Sequence, residues 1–361
     1  MPEKNMDDIT SAAQAMAEKV RYSGDTLRRT TDGDLSRTDR IRNQFYYNDL
    51  RISPLVTPTL ASGLELVCQR LHIPEGAVEA FIFASPEIQA ECLAGSTSNC
   101  VLRFSSSLVD LLDHQEFEFV AGHEIGHFLL AHGIVKLENQ GDSLEYHIEQ
   151  RRQEISVDRI GLIACQSLET AIRALMKTAS GLSSEHLRFD VGAFISQLRD
   201  APKATYEDGH FATHPSSLIR CRALLWFSLN DFFIRGTDHF NEEQFTKLDQ
   251  RIENDFNRFV DGPAKRLIKV AKEDLAIWIA AHHAVQDGAF DKNEQAAISD
   301  IFGSEILDRL KNFLSDLPAS EVQDIVYQRM KSAREDLERM IPSSFEDVIE
   351  EIQRDITAKL N

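Results

Sequence analysis

The sequence predicts an α+β fold: a mostly helical domain holding one small sheet, followed by an all-helical C-terminal domain. Three observations predict it. Two short β-prone runs, Val78 to Ser85 and Cys100 to Phe104, are bounded by Pro, Gly, Ser and Asn, which suits a sheet of few strands. Elsewhere apolar residues recur at helical spacing. Past about residue 240 the pattern is helical throughout, with no repeat of fixed period and no low-complexity tract. The expected organisation is a helical flanking segment over 1–49, the domain with the sheet over 50–238, and the helical domain over 239–361.

In chain order, residues 1–45 are polar and mixed in charge, with Ala13, Met16 and Val20 loosely spaced as on a helix or two. Pro54 and Pro58 mark a boundary, and Leu60, Leu64, Val67 and Leu71 then repeat at helical spacing. The two β-prone runs follow. Asp113 with Glu116 has the spacing of a capping box, and Gly133 sits where a C-cap is expected, so a helix of about 19 residues is predicted between them. A second helix is expected from Glu149 to Leu168, and a polar stretch with Gly and Pro, Ala201 to Pro215, separates it from later helices.

Composition narrows the function. The net charge of -19 opposes nucleic-acid binding, because the summed field repels a polyanion. Five cysteines make neither a CxxC pair nor an even framework, which points to a reducing compartment, the cytoplasm. The N-terminus is acidic and lacks the pattern of a signal peptide, and the most apolar stretches carry His and Glu or are too short to span a bilayer. No membrane insertion is expected.

Inside the predicted helix lies His123-Glu-Ile-Gly-His127. The two histidines are four apart, so a helix places both imidazoles on one face with Glu124 beside them. In this H-E-x-x-H pattern the imidazoles hold one Zn2+ and the carboxylate takes a proton from a water that attacks a peptide carbonyl. Glu124 is the candidate general base. A catalytic zinc takes three protein ligands and keeps one open position. Leu130 and Gly133 exclude the extension that would supply a third histidine, so a downstream carboxylate is required. Glu154 and Asp158 are again four apart; Glu154 is assigned to the metal, and Asp158 to the free N–H of one of the two imidazoles.

A third segment, Thr213-His-Pro-Ser-Ser-Leu-Ile-Arg220, completes three motifs in order. With them the chain resembles the family-forty-eight gluzincin peptidases, which include the CAAX prenyl proteases and HtpX, over roughly residues 50–230. The resemblance implies a zincin-type metallopeptidase domain acting on protein or peptide substrate, with zinc on His123, His127 and Glu154, and with His214 and Arg220 near the oxyanion. It also implies that Asn99, Cys100, Val101, Leu102, Arg103 and Phe104 form an edge strand that pairs with an extended substrate. Residues 265–361, through the Asp-Gly loop at 287–288, are similar to TerB-like domains, which implies a sensor or docking module for a regulatory partner. The loop lacks the spaced oxygen ligands of an EF-hand, so calcium is not expected.

Blander readings accompany these. His132 is given a structural or surface role, Cys100 that of a small buried hydrophobe, and Asp287, Asp291 and Glu294 those of helix capping and solvated surface. Lys331 to Glu338 reads as an exposed helical face. The competing functions are a zinc-bearing interaction module without active catalysis, and a di-iron bundle needing a second Glu-x-x-His, offered by Glu207 and His210.

Overall fold

The computed structural model describes residues 6–25, 35–74, 76–93, 100–132, 143–200, 216–285, 290–318 and 320–360. The expected α+β class is what is found. The chain divides into two compact units, one of Met1–Leu137, Glu149–Lys203 and Ala212–Val260, the other of Glu138–Ile148, Ala204–Phe211 and Asp261–Asn361.

The first unit begins with α1 (Met6–Val20) and α2 (Leu35–Asn48), the short strand β1 (Leu50–Arg51) and α3 (Pro58–Arg70). Strands β2 (Val78–Phe83), β3 (Ala90–Leu93) and β4 (Cys100–Ser105) follow, then α4 (Ser106–Leu111) and α5 (His114–Leu129). Helices α6 (Leu144–Cys165), α7 (Leu168–Ser180), α8 (Val191–Asp200), α9 (Ser217–Phe227), α10 (Asp231–Arg235) and α11 (Glu242–Phe259) come next. The first turn of α6 falls in the second unit. On α1, Ala13, Met16 and Val20 are buried, as their spacing predicts.

The strands form one sheet in the order β1-β2-β4-β3, with β4 parallel to β2 and antiparallel to β3. Alternation sends Cys100, Leu102 and Phe104 of β4 into the main core, where the Phe104 ring meets Phe117 of α5 at 5.1 Å. Val101 faces the other way, onto Phe45 of α2 and Phe81 of β2. This corrects the expectation for 100–104. The strand is interior, its main-chain groups paired on both sides, and the edge belongs to β3. Ala90–Leu93 was missed because a four-residue run containing Ala and Glu carries little β signal. Asn99 lies outside the described residues.

The capping box at the start of α5 is formed: Glu116 N–H donates to Asp113 Oδ1 at 2.9 Å and Asp113 N–H to Glu116 Oε2 at 2.8 Å. The helix ends sooner than predicted. Ala131 takes the left-handed conformation, φ 56°, while Ala131 N–H bonds Phe128 O at 3.0 Å and His132 N–H bonds His127 O at 2.7 Å. These are the two bonds of a Schellman turn, closed here by alanine. Gly133, the expected cap, lies outside the described residues. The predicted helix 149–168 is likewise two: α6 stops at Cys165, Gln166 turns left-handed at φ 55°, and Ser167 caps α7 by accepting from Thr170 N–H at 3.2 Å.

Helices α5 and α6 meet through small residues. A Cβ added at Gly122 would stand 2.3 Å from the Ala164 Cβ, one at Gly126 3.1 Å from the Val157 Cβ, and one at Gly161 2.9 Å from the Phe119 carbonyl oxygen. Each glycine costs about 1 kcal/mol of helix propensity, and the close approach offsets it.

The second unit holds α12 (Gly262–Ala284), α13 (Lys292–Phe302), α14 (Ser304–Ser315), α15 (Val322–Met340) and α16 (Phe345–Leu360). Its described elements are all helical, packed around Leu275, Leu337, Ile341, Phe345 and Ile349 and around Ala280, Ala281, Ile298, Val326 and Ile356. Asp291 and Glu294 form a capping box on α13. Asp287 and Gly288 lie outside the described residues.

The glycine crossing makes a prediction. Gly122→Ala should destabilise the protein by about 1–3 kcal/mol in urea unfolding, since the new methyl meets a rigid neighbour. Adding Ala164→Gly should recover part of that loss; equal stability of Gly122→Ala and the parent would refute the close approach.

Candidate metal centre

The crossing of α5 and α6 sets the site. His123 and His127 project from one face of α5, their ring centroids 5.1 Å apart, and Glu154 projects from α6 between them. His123 Nε2 lies 3.6 Å from Glu154 Oε2 and His127 Nε2 3.5 Å from Glu154 Oε1. Zinc bonds of about 2.0–2.1 Å at tetrahedral angles hold ligand atoms roughly 3.4 Å apart, so these separations fit a shared ion. The three side chains form a group able to hold a metal.

Behind the ligands stands an ionic support. His123 Nδ1 lies 3.0 Å from Asp158 Oδ1, so of the two imidazoles left open by the sequence, His123 is the partner. Arg220 donates to Asp158 through Nε at 2.7 Å and Nη2 at 2.6 Å, and its Nη1 is 3.2 Å from Glu154 Oε2. Burial alone would raise the Asp158 pKa, but the Arg220 charge and hydrogen bonds, with that of His123, hold the carboxyl below its ordinary value. The Asp158 and Glu154 charges overcome burial to raise that of Arg220. Ser216 caps α9 by accepting from Leu218 N–H at 3.3 Å, and Arg220 follows one turn later. Its donors are thus directed at the Asp158 and Glu154 carboxylates. Thr213, His214, Pro215, Glu207 and His210 lie outside the described residues.

Glu124 is 8% exposed and lines a cleft of about 430 Å³ with His123, Glu154 and Arg220. One wall is Gln89, Ala90 and Glu91 at the sheet's edge; another is apolar, with Leu108, Val120 and Leu175. Among the described residues, Glu124 and Glu154 line this cleft with Arg220, which pairs with Glu154 and with Asp158 behind it.

Two residues gain importance over their sequence reading. His132, expected to be structural or superficial, is 2% exposed and its Nδ1 lies 3.2 Å from His127 Nδ1. Asp25, which carried no motif, bonds the other His132 nitrogen at 3.0 Å. Cys100 is fully buried, its pKa pushed up by desolvation and by Cys92, whose Sγ is 3.9 Å away. All five cysteines are free thiols.

The sequence model of Peptidase family M48 matches residues 54–148, from the approach to α3 through α5 into the first residues of α6. Residues 54–148 carry a peptidase family M48 domain. That match takes in His123, Glu124 and His127 and stops short of Glu154, Asp158 and Arg220. The chain is also similar to the plastoglobule-localized metallopeptidase 48, chloroplastic, of Arabidopsis thaliana, 27% identical over 36% of this chain and 43% of the relative. It therefore spans under half the length of that relative. No solved structure matches it. Among the described residues, no helix is long and apolar enough to cross a membrane.

Asp158→Asn should weaken zinc binding about 10–100-fold in chelator competition. It also carries an acid signature. The folded pKa of Asp158 lies below the ordinary 3.8, so its stabilisation is full above that value and is lost as pH falls beneath it. In chelator, the unfolding midpoint of Asp158→Asn should fall less steeply than the parent's below about pH 4.

Proposed function

We propose that this chain is a zinc-dependent endopeptidase acting on extended or unfolded polypeptide. The observation that carries the reading is the convergence of His123, His127 and Glu154, with Glu124 in the cleft that His123 and Glu154 line. Zinc bound there would supply Lewis acidity and a water of near-neutral pKa. Glu124 would accept the proton of the attacking water and deliver it to the leaving amine. Asp158 would hold the Nδ1–H of His123, leaving Nε2 for the metal, and Arg220 would keep Asp158 and Glu154 ionised and oriented.

The peptide would lie along the outer edge of β3, whose residues Ala90 and Glu91 line the cleft. Main-chain bonding there gives affinity with little sequence preference, and the apolar wall of Leu108, Val120 and Leu175 favours an apolar side chain next to the scissile bond. The flanking helices and the all-helical second unit, by its likeness to TerB-like domains, would supply regulation through a partner. The M48 domain and the distant metallopeptidase relative support the reaction class.

Glu124→Gln is the test. Turnover of an unfolded polypeptide should fall about 10²–10⁴-fold while zinc stays at one equivalent per chain, measured by metal analysis. Cleavage by that variant at the parent's rate would sink the mechanism, and iron at two equivalents would sink the zinc assignment.

A further inference from the structure

His123 and His127 are supported from different parts of the chain. His123 meets a carboxylate directly, through Asp158. His127 meets one through another imidazole. Its Nδ1 lies 3.2 Å from His132 Nδ1, and His132 Nε2 lies 3.0 Å from Asp25 Oδ2. Asp25 stands just past the end of α1, 107 residues before His132.

The placement of Asp25 is built in. Ser156 Oγ donates to Asp25 Oδ2 at 2.6 Å, and Arg21 Nη2 pairs with Oδ1 at 3.2 Å. Neighbouring main-chain groups are anchored as well: Tyr22 N–H donates to Ser156 Oγ at 3.0 Å, Ser23 N–H to Asp249 Oδ2 at 2.8 Å, and Val20 O accepts from Arg159 Nη1 at 3.0 Å. Burial pushes the Asp25 pKa up, but the hydrogen bond from His132, the Arg21 charge and the Ser156 hydroxyl outweigh it and leave the carboxyl well below its ordinary value. On the other side, His132 is brought back onto His127 by the Schellman turn, which places Ala131 at φ 56°. That left-handed conformation is strained for a residue with a Cβ.

Proton bookkeeping gives the chain a direction. Two imidazole nitrogens facing each other at hydrogen-bond distance need one donor and one acceptor. His127 turns Nε2 toward Glu154, so a metal there leaves the proton on Nδ1. His132 Nδ1 must then accept, and its Nε2–H must donate. The receiving group is a buried carboxylate.

We propose that Asp25, acting through His132, is a positioning residue for the metal centre, fixing the His127 tautomer that presents Nε2 to the ion. The N-terminal segment is then part of the site, not an appendage to it. This rests on the reading of His123, His127 and Glu154 as metal ligands.

The test is the zinc dissociation constant of the full-length protein by chelator competition. Asp25→Asn and His132→Phe should each raise it roughly 10–100-fold, as loss of a partner behind a ligating histidine does. The double variant should be no worse than the weaker single, because the two groups act in series. His132→Gln, which keeps one acceptor and one donor, should retain more affinity than His132→Phe. Ala17→Gly loosens the same helical segment without touching the chain of bonds, and should leave zinc affinity unchanged. The d–d absorption of the cobalt-substituted protein should shift in Asp25→Asn and not in Ala17→Gly. Glu154→Gln runs alongside. If the parent binds zinc and Glu154→Gln weakens binding while Asp25→Asn and His132→Phe do not, the positioning role is overturned and the ligand set stands. If the parent takes up no zinc, the ligand reading falls and this inference with it.

Discussion

Everything at the centre depends on how closely α5 can lie on α6. Each histidine of the candidate metal group on α5 follows a glycine, Gly122 before His123 and Gly126 before His127, and these glycines face Ala164, Gly161 and Val157. The spacing that stacks the imidazoles therefore also stacks the gaps into which α6 settles. Side chains as short as Glu154 and Asp158 reach the histidines only because the two backbones have no Cβ between them. A wider crossing would leave both carboxylates buried without the partners they now have, at a cost of several kcal/mol each.

That closeness gathers like charges, and the fold answers with a buried cation. Arg220 spreads its donors over Asp158 and Glu154, using the planar fork that a lysine lacks. Arg220 thereby holds both carboxylates in place beside the His123 and His127 imidazoles.

Much of this was legible in the sequence, for reasons of locality. His123, Glu124 and His127 lie within one turn of helix, and Glu154 with Asp158 within another, so helical period alone sets their mutual geometry. The capping box of Asp113 and Glu116 is equally local, and it formed. What escaped notice is long-range or weakly marked. Asp25 approaches His132 only after α1 has packed on α5, and no spacing rule connects positions so far apart. Strand β3 has too few β-branched residues to stand out, and without it Cys100–Ser105 looked like the margin of the sheet. The end of α5 was misplaced because a glycine was expected at the left-handed position and an alanine occupies it.

The corrected sheet order explains how the cleft keeps an open margin. An interior β4 can be apolar on both faces, and its one cation, Arg103, is held by Asp49 at 2.7 Å and Glu91 at 3.0 Å while its guanidinium lies 4.0 Å over the Phe83 ring. β3 carries the opposite burden. A strand edge beside a cleft offers unpaired main-chain groups to any extended segment, which is useful for a substrate and hazardous for aggregation. Four residues are long enough to hold a short peptide and too short to template a growing sheet. Glu91, exposed midway along it, adds a charge that discourages a second copy of the same strand while the adjoining cleft remains open.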